Sequence, residues 1–154
     1  MKNAKQHLIL TQLDKKLELL KVLKEVSVPP KGWLYTIRTT LRMSLRQLSS
    51  KISITPQSLR DMENREVAGT ITLNTLRDVA HAMDMQLVYG FVSRHESLEQ
   101  MIEKRAKELA MEIVMRTNNS MSLEDQQNSK ERITQAIAQK TVEIKSDIPR
   151  YLWD

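Results

Sequence analysis

Between Ser44 and Asn64 the chain reads SLRQLSSKISITPQSLRDMEN, two short amphipathic segments that meet at a threonine followed by proline. This junction constrains the fold more than any other stretch. Thr55 offers a hydroxyl to the free amides of a helix start. Pro56 falls where a missing N–H costs nothing and its fixed φ suits the first helical turn. A helix must therefore begin here, shortly after Ser44 has capped another. Leu45, Leu48 and Ile52 recur at helical spacing in the first segment, and Leu59 and Met62 in the second. Such a pair is either a DNA-reading unit or two helices that merely pack.

The flanks supply further helices. Residues 3–26 carry Leu10, Leu13, Leu17 and Leu20 at alternating spacings of three and four, with Lys and Glu between them. Adjacent prolines in SVPPKG, residues 27–32, break that helix. A new one is expected from Gly32 or Trp33 to about Arg42, with Trp33 packed beneath it. Another enters at Thr72, with Leu73, Leu76, Val79, Ala80 and Met83 as its apolar stripe. QLVYGFV, residues 86–92, reads as one short strand, rich in β-branched and aromatic residues. Ser97 and Gln100 form a capping-box pattern for a helix to about Arg116, TNNSMS ends it, and Ser122 opens a last helix to roughly Glu143. The expectation is a mainly α chain. It has an N-terminal helical arm and linker at 1–31, a central domain with its strand at 32–92, and a C-terminal helical extension and tail at 93–154.

Composition excludes several classes. The 154 residues include no cysteine, so disulfide, thiol and thiolate-metal chemistry is absent. His7, His81 and His95 are too scattered for a metal constellation, and three glycines do not build a phosphate-cradling loop. His95 and Ser97 lie close together, but adjacency is not triad geometry. No enzyme and no cofactor is expected. The apolar runs are too short to cross a bilayer and no signal pattern follows Met1, so a cytoplasmic protein away from membranes is expected.

Charge points to the partner. The net value is +5, with +4 in residues 1–31, +3 in 32–66 and −2 in the remainder. Positive charge concentrated at one end suits a polyanion, because Lys and Arg displace counterions from phosphates. A solvated lysine-rich face would show the same balance. On the second helix of the pair Gln57, Ser58, Arg60 and Asp61 point away from the apolar side. Gln pairs with adenine in a bidentate manner, Ser with either edge, and Asp accepts from cytosine N4. Thr55 and the helix amides suit a phosphate, and Ser44, Arg46, Lys51 and Arg65 are placed to hold the backbone.

These residues resemble the Cro/C1-type (Xre-like) helix–turn–helix domain. The resemblance rests on Leu48 and Ser49 in the first helix of the pair, Ser53 at the turn, Thr55 as cap and Glu63-Asn64 after the second helix. It continues through TLNTLRDVAHAMDM, residues 72–85. It implies a five-helix domain that reads double-stranded DNA. Ser53 stands where the family commonly has glycine, and Leu45 where it often has a phosphate-binding glutamine. The leading helix, PPKGW, GTITLNTLR and QLVYGFV together resemble the mobile mystery protein A family, encoded beside a Fic-domain companion. That implies a repressor and antitoxin of a toxin–antitoxin-like operon. The Fic-inhibitor pattern is met only imperfectly, at Ser120 to Glu124 and at Ser58 to Glu63-Asn64.

A lone strand lacks partners for its backbone, so Leu87, Val88, Tyr89, Phe91 and Val92 are expected to pair across a homodimer axis. The apolar tail at Tyr151–Trp153 is expected to dock on its own chain, a dimer mate or a partner. The rival reading is a protein-binding antitoxin whose main role is to hold the companion protein.

Overall fold

The computed structural model describes residues 2–121 and 129–154, and the chain is mainly helical. The α-helices among these residues are α1 (Lys2–Leu19), α2 (Trp33–Thr40), α3 (Leu45–Lys51), α4 (Pro56–Ala68), α5 (Leu73–Ala82), α6 (Leu98–Met121) and α7 (Ser129–Asp147). Single 3-10 turns occupy Lys21–Glu25 and Arg150–Trp153. The chain divides into two units, one of residues 22–90 and the other of residues 1–21 with 91–154.

In the 22–90 unit the helix starts follow the local caps. Ser44 Oγ accepts from the Gln47 amide at 3.1 Å while Gln47 Oε1 accepts from the Ser44 amide at 2.8 Å, a complete capping box. Thr55 Oγ1 accepts from the Ser58 amide at 3.1 Å, and Thr72 Oγ1 from the Thr75 amide at 3.2 Å. α2 is entered differently. Gly32 precedes it at φ 82°, and its cap comes from another helix: Glu66 accepts from the Trp33 amide at 2.7 Å and the Leu34 amide at 3.0 Å. A Cβ at Gly32 would lie 2.8 Å from Glu66 Oε2, which those two amides hold in place. Gly32→Ala is therefore expected to cost about 1–3 kcal/mol, through a strained left-handed backbone and a displaced cap. Urea unfolding measures it, and a loss below a few tenths would refute the cap.

All four helices of this unit leave by the same device. Met43, Ile54, Thr70 and Met85 donate backwards to the carbonyls of Arg38, Ser49, Arg65 and Ala80 at 3.0, 3.1, 2.9 and 2.8 Å. Each closure needs one left-handed residue, here Arg42 (φ 57°), Ser53 (φ 56°), Gly69 (φ 76°) and Asp84 (φ 56°). Only one of the four is glycine. The helices converge on Leu34, Leu48, Leu59, Val79 and Met83, with Ile37, Ile52, Ile54, Met62 and Leu76 packed around them.

Several expectations are corrected. The unit holds four α-helices rather than five, because the chain turns left-handed at Asp84 and enters a β-branched, aromatic stretch. Residues 86–92 are not a strand within the single chain: they have no regular secondary structure, and no ladder partner lies among the described residues. Trp33 does not pack beneath α2 but stays 40% exposed at its start. The first helix stops at Leu19 instead of continuing to 26, as the Leu20 amide drops to the Leu17 carbonyl at 3.0 Å and the chain tightens into 3-10 geometry. α1 buries no residue completely, and Leu13 of its leucine stripe is exposed.

In the other unit α6 and α7 pack through Ile102, Ala106, Ala110 and Ile144, where the two alanines at i,i+4 let the helices approach closely. Leu10 of α1 packs on this cluster, and Leu152 of the last turn is buried within it. The tail docks on its own unit by that one side chain, and Tyr151 and Trp153 remain about half exposed. Arg105 secures it, donating to the carbonyls of Leu152 at 2.7 Å and Asp154 at 2.9 Å. Ser97 caps α6 through the Gln100 amide at 3.0 Å, but Gln100 reaches the Glu96 amide, so the box is only half made. Asp14 completes the cap, accepting from Leu98 at 2.8 Å and Glu99 at 3.2 Å. α6 runs on to Met121, past the expected stop near Arg116, and Thr117 bonds back to the Ile113 carbonyl at 3.1 Å. The expected helix start at Ser122, and Glu124 of the imperfect Fic-inhibitor pattern, lie outside the described residues. Partial burial disfavours the Lys145 ammonium, but the hydrogen bond and charge of Glu99, with those of Glu103, outweigh it and raise its pKa above the ordinary lysine value.

Candidate nucleic-acid interface

α3 and α4 are joined by a four-residue bend, Ile52, Ser53 and Ile54 leading to the capping Thr55. The bend depends on Ser49, which is buried. Its carbonyl accepts from Ile52 at 3.2 Å and Ile54 at 3.1 Å, and its hydroxyl donates to the Arg46 carbonyl at 3.2 Å. The buried position has room for a small side chain only. Ser53 adopts the left-handed backbone that its place in the turn demands. Ser53→Gly is expected to raise stability by about 0.5–1 kcal/mol, measured from the urea midpoint, because a Cβ there is a steric cost. An unchanged midpoint would mean that the serine is not strained.

Leu59 and Glu63 point inward from α4 and are buried, which leaves the opposite side of the helix free. Gln57, Arg60 and Asp61 are exposed there, as expected, while Ser58 is half-buried. The Ser58 hydroxyl accepts from Thr55 Oγ1 at 2.8 Å and belongs to the cap, so it is less available for base contact. Gln57 Nε2 donates to Asp61 Oδ1 at 3.1 Å, one turn away. That bond occupies a Gln57 amide donor, and a base must break or share it. Arg60 is the one cation of this row.

The residues expected to hold phosphates, Ser44, Arg46, Lys51, Thr55 and Arg65, are all exposed. Arg46, Lys51 and Arg65, like Arg60, form no ion pair with a carboxylate among the described residues. Uncompensated guanidinium and ammonium groups gain most from a polyanion, since no internal partner has to be released. Gln47 has its side-chain oxygen in the Ser44 capping box, which leaves its amide nitrogen free to donate to an acceptor such as a phosphate oxygen.

One structural pair was not foreseen from the sequence. Arg38 of α2 and Glu63 of α4 are 7% and 5% exposed and joined by two bonds, Nε to Oε1 at 2.5 Å and Nη2 to Oε2 at 3.2 Å. Arg38 also donates to the Met43 carbonyl at 2.9 Å, the exit of α2. A forked guanidinium satisfying a carboxylate and a carbonyl fixes α4 against the rest of its unit. The signal was present: Arg38 lies four residues after Leu34 and Glu63 four after Leu59, each on its helix's buried stripe.

Residues 87–92, expected at a dimer axis, leave Val88, Tyr89 and Phe91 exposed and Leu87 and Val92 half-buried. His81 is exposed, and no cluster of three or more potential metal-binding side chains occurs among the described residues. No helix among them is long and apolar enough to cross a membrane. No family model matches the chain, and no curated protein or solved structure matches it.

Proposed function

We propose that this chain is a sequence-specific DNA-binding repressor that acts as a homodimer on an inverted repeat at its own promoter. The observation that carries the reading is the outer side of α3 and α4. Gln57, Arg60 and Asp61 form a polar row on a helix fixed by a buried ion pair, flanked by the free cations Arg46, Lys51 and Arg65. α4 would present its first turns to base edges in the major groove, and α3 would cross the backbone. Two copies, paired through the unladdered residues 86–92, would set two such helices about 34 Å apart, one DNA turn. The resemblance to the mobile mystery protein A family adds an operon shared with a Fic-domain companion.

Gln57→Ala is expected to cost about 1–3 kcal/mol at one base pair of the operator and little on random DNA. Anisotropy titrations against the chain's own upstream DNA and a scrambled duplex measure both. Equal losses on the two would remove Gln57 from the reading row.

A second reading, an antitoxin that mainly holds a companion protein, has one observation in its favour. Met111, Met115 and Val142 are exposed on α6 and α7. Met111→Glu and Val142→Glu should abolish companion binding and spare DNA binding if both activities are present.

A further inference from the structure

The 22–90 unit carries an apolar groove of about 440 Å³, lined among others by Leu23, Val28, Trp33, Ile37, Leu76 and Val88. Its one charged wall residue is Glu66, whose carboxylate is already held by the Trp33 and Leu34 amides. The groove therefore offers a largely apolar surface whose one charge is negative, unsuited to nucleic acid, on a chain that is 28% charged. Val28 is 65% exposed at its rim.

Met85, Gln86, Leu87 and Val88 form one wall, and the segment they open has matching properties. Residues 85–93, MQLVYGFVS, contain no charge. Val88 is 74% exposed and Phe91 82%, and Tyr89 is exposed between them. No hydrogen bond joins the backbone of residues 86–92 to any other described residue. Within the 22–90 unit, the uncharged side chains of Leu87 and Val88 and their unpaired backbone thus line an apolar groove that carries no cation.

We infer that the groove is the seat of a second copy of this chain, whose residues 86–92 lie along it while the first copy's segment occupies the second groove. The inference rests on the dimer proposed above and assigns its interface. Self-complementarity follows from the layout. At a two-fold interface one residue serves both as wall and as insert, and Val88 is placed for both. A like-charged segment would repel its own copy on pairing; an uncharged one does not. The backbone groups of the segment then find partners across the axis, and the exposed side chains leave water together.

The test uses the full chain. Sedimentation equilibrium should show wild type as a dimer. Val88→Glu and Val28→Glu, at exposed positions that leave the helical signal unchanged, should each raise the dissociation constant about thirtyfold or more. Because the chain has no cysteine, copies carrying Val28→Cys and copies carrying Val88→Cys can be mixed and mildly oxidised, and a mixed disulfide dimer is expected. The inference is overturned if both glutamate variants dimerise like wild type, if wild type is monomeric, or if native mass spectrometry finds a small apolar molecule filling the groove of a monomer. DNA anisotropy on the same samples separates the two readings. An unchanged dimer with specific DNA binding sinks the groove interface and leaves the repressor. A dimer broken by the glutamates but blind to sequence keeps the interface and sinks the repressor.

Discussion

Glu63→Ala is expected to destabilise the 22–90 unit by about 3–5 kcal/mol, the largest loss for any single polar side chain in it. Among the described residues the removed carboxylate is the only anion bonded to Arg38, and both side chains are almost completely shielded from water. An arginine cannot discard its proton to escape, so the substitution leaves a charge buried without its counter-ion. With a urea dependence of about 1.5 kcal/mol/M, the midpoint should fall by ~2 M or more. Replacing both partners, with Arg38→Met and Glu63→Leu, should recover most of the loss, because no charge then stays buried. A drop below about 1 kcal/mol for Glu63→Ala would mean that water reaches the pair. The prediction bears on function as well. Glu63 is on the inner side of the helix whose outer side carries Gln57, Arg60 and Asp61, so loosening it should weaken DNA binding without touching a DNA contact.

The second large effect is on salt. Arg46, Lys51 and Arg65 are exposed and free of carboxylates among the described residues, so two copies of the proposed repressor would bring six cations to the phosphate backbone. Operator affinity should then fall about a thousandfold between roughly 50 and 200 mM salt. Arg46→Ala, which removes one cation from each copy, should lower the slope of log affinity against log salt by about two and weaken cognate and random DNA alike. A flat salt response would exclude these three residues as phosphate contacts. A sequence-dependent response to Arg46→Ala would place that residue at a base instead. This pattern is the converse of that expected for Gln57→Ala.

The difference between what was legible and what was not follows the span of each interaction. Ser44 with Gln47, Thr55 with Ser58 and Thr72 with Thr75 bond over three residues, and each helix start they mark could be read from the chain. Helix exits were harder. The left-handed residue was recognisable at Gly69, but the same backbone is borne at Asp84 by a residue that only tolerates it and at Arg42 by one that gives no local sign of it. The strand expected at 86–92 shows the other limit. Its composition favours extended chain, yet a strand exists only with a neighbour to bond, and neighbours are not a local property.

By itself the sequence determined the mainly helical character, most helix entries and the identity of the exposed row on α4. These depend on hydrogen bonds within one turn and on apolar residues recurring every three or four positions. Only the tertiary structure decided that Glu66 caps a helix more than thirty residues earlier, that Arg38 and Glu63 share a buried bond, and that α1 joins the C-terminal helices in one unit. Each of these unites groups far apart in the chain, where ordering costs entropy that only cooperative burial of many side chains can offset. Spacing along a sequence carries no record of that burial.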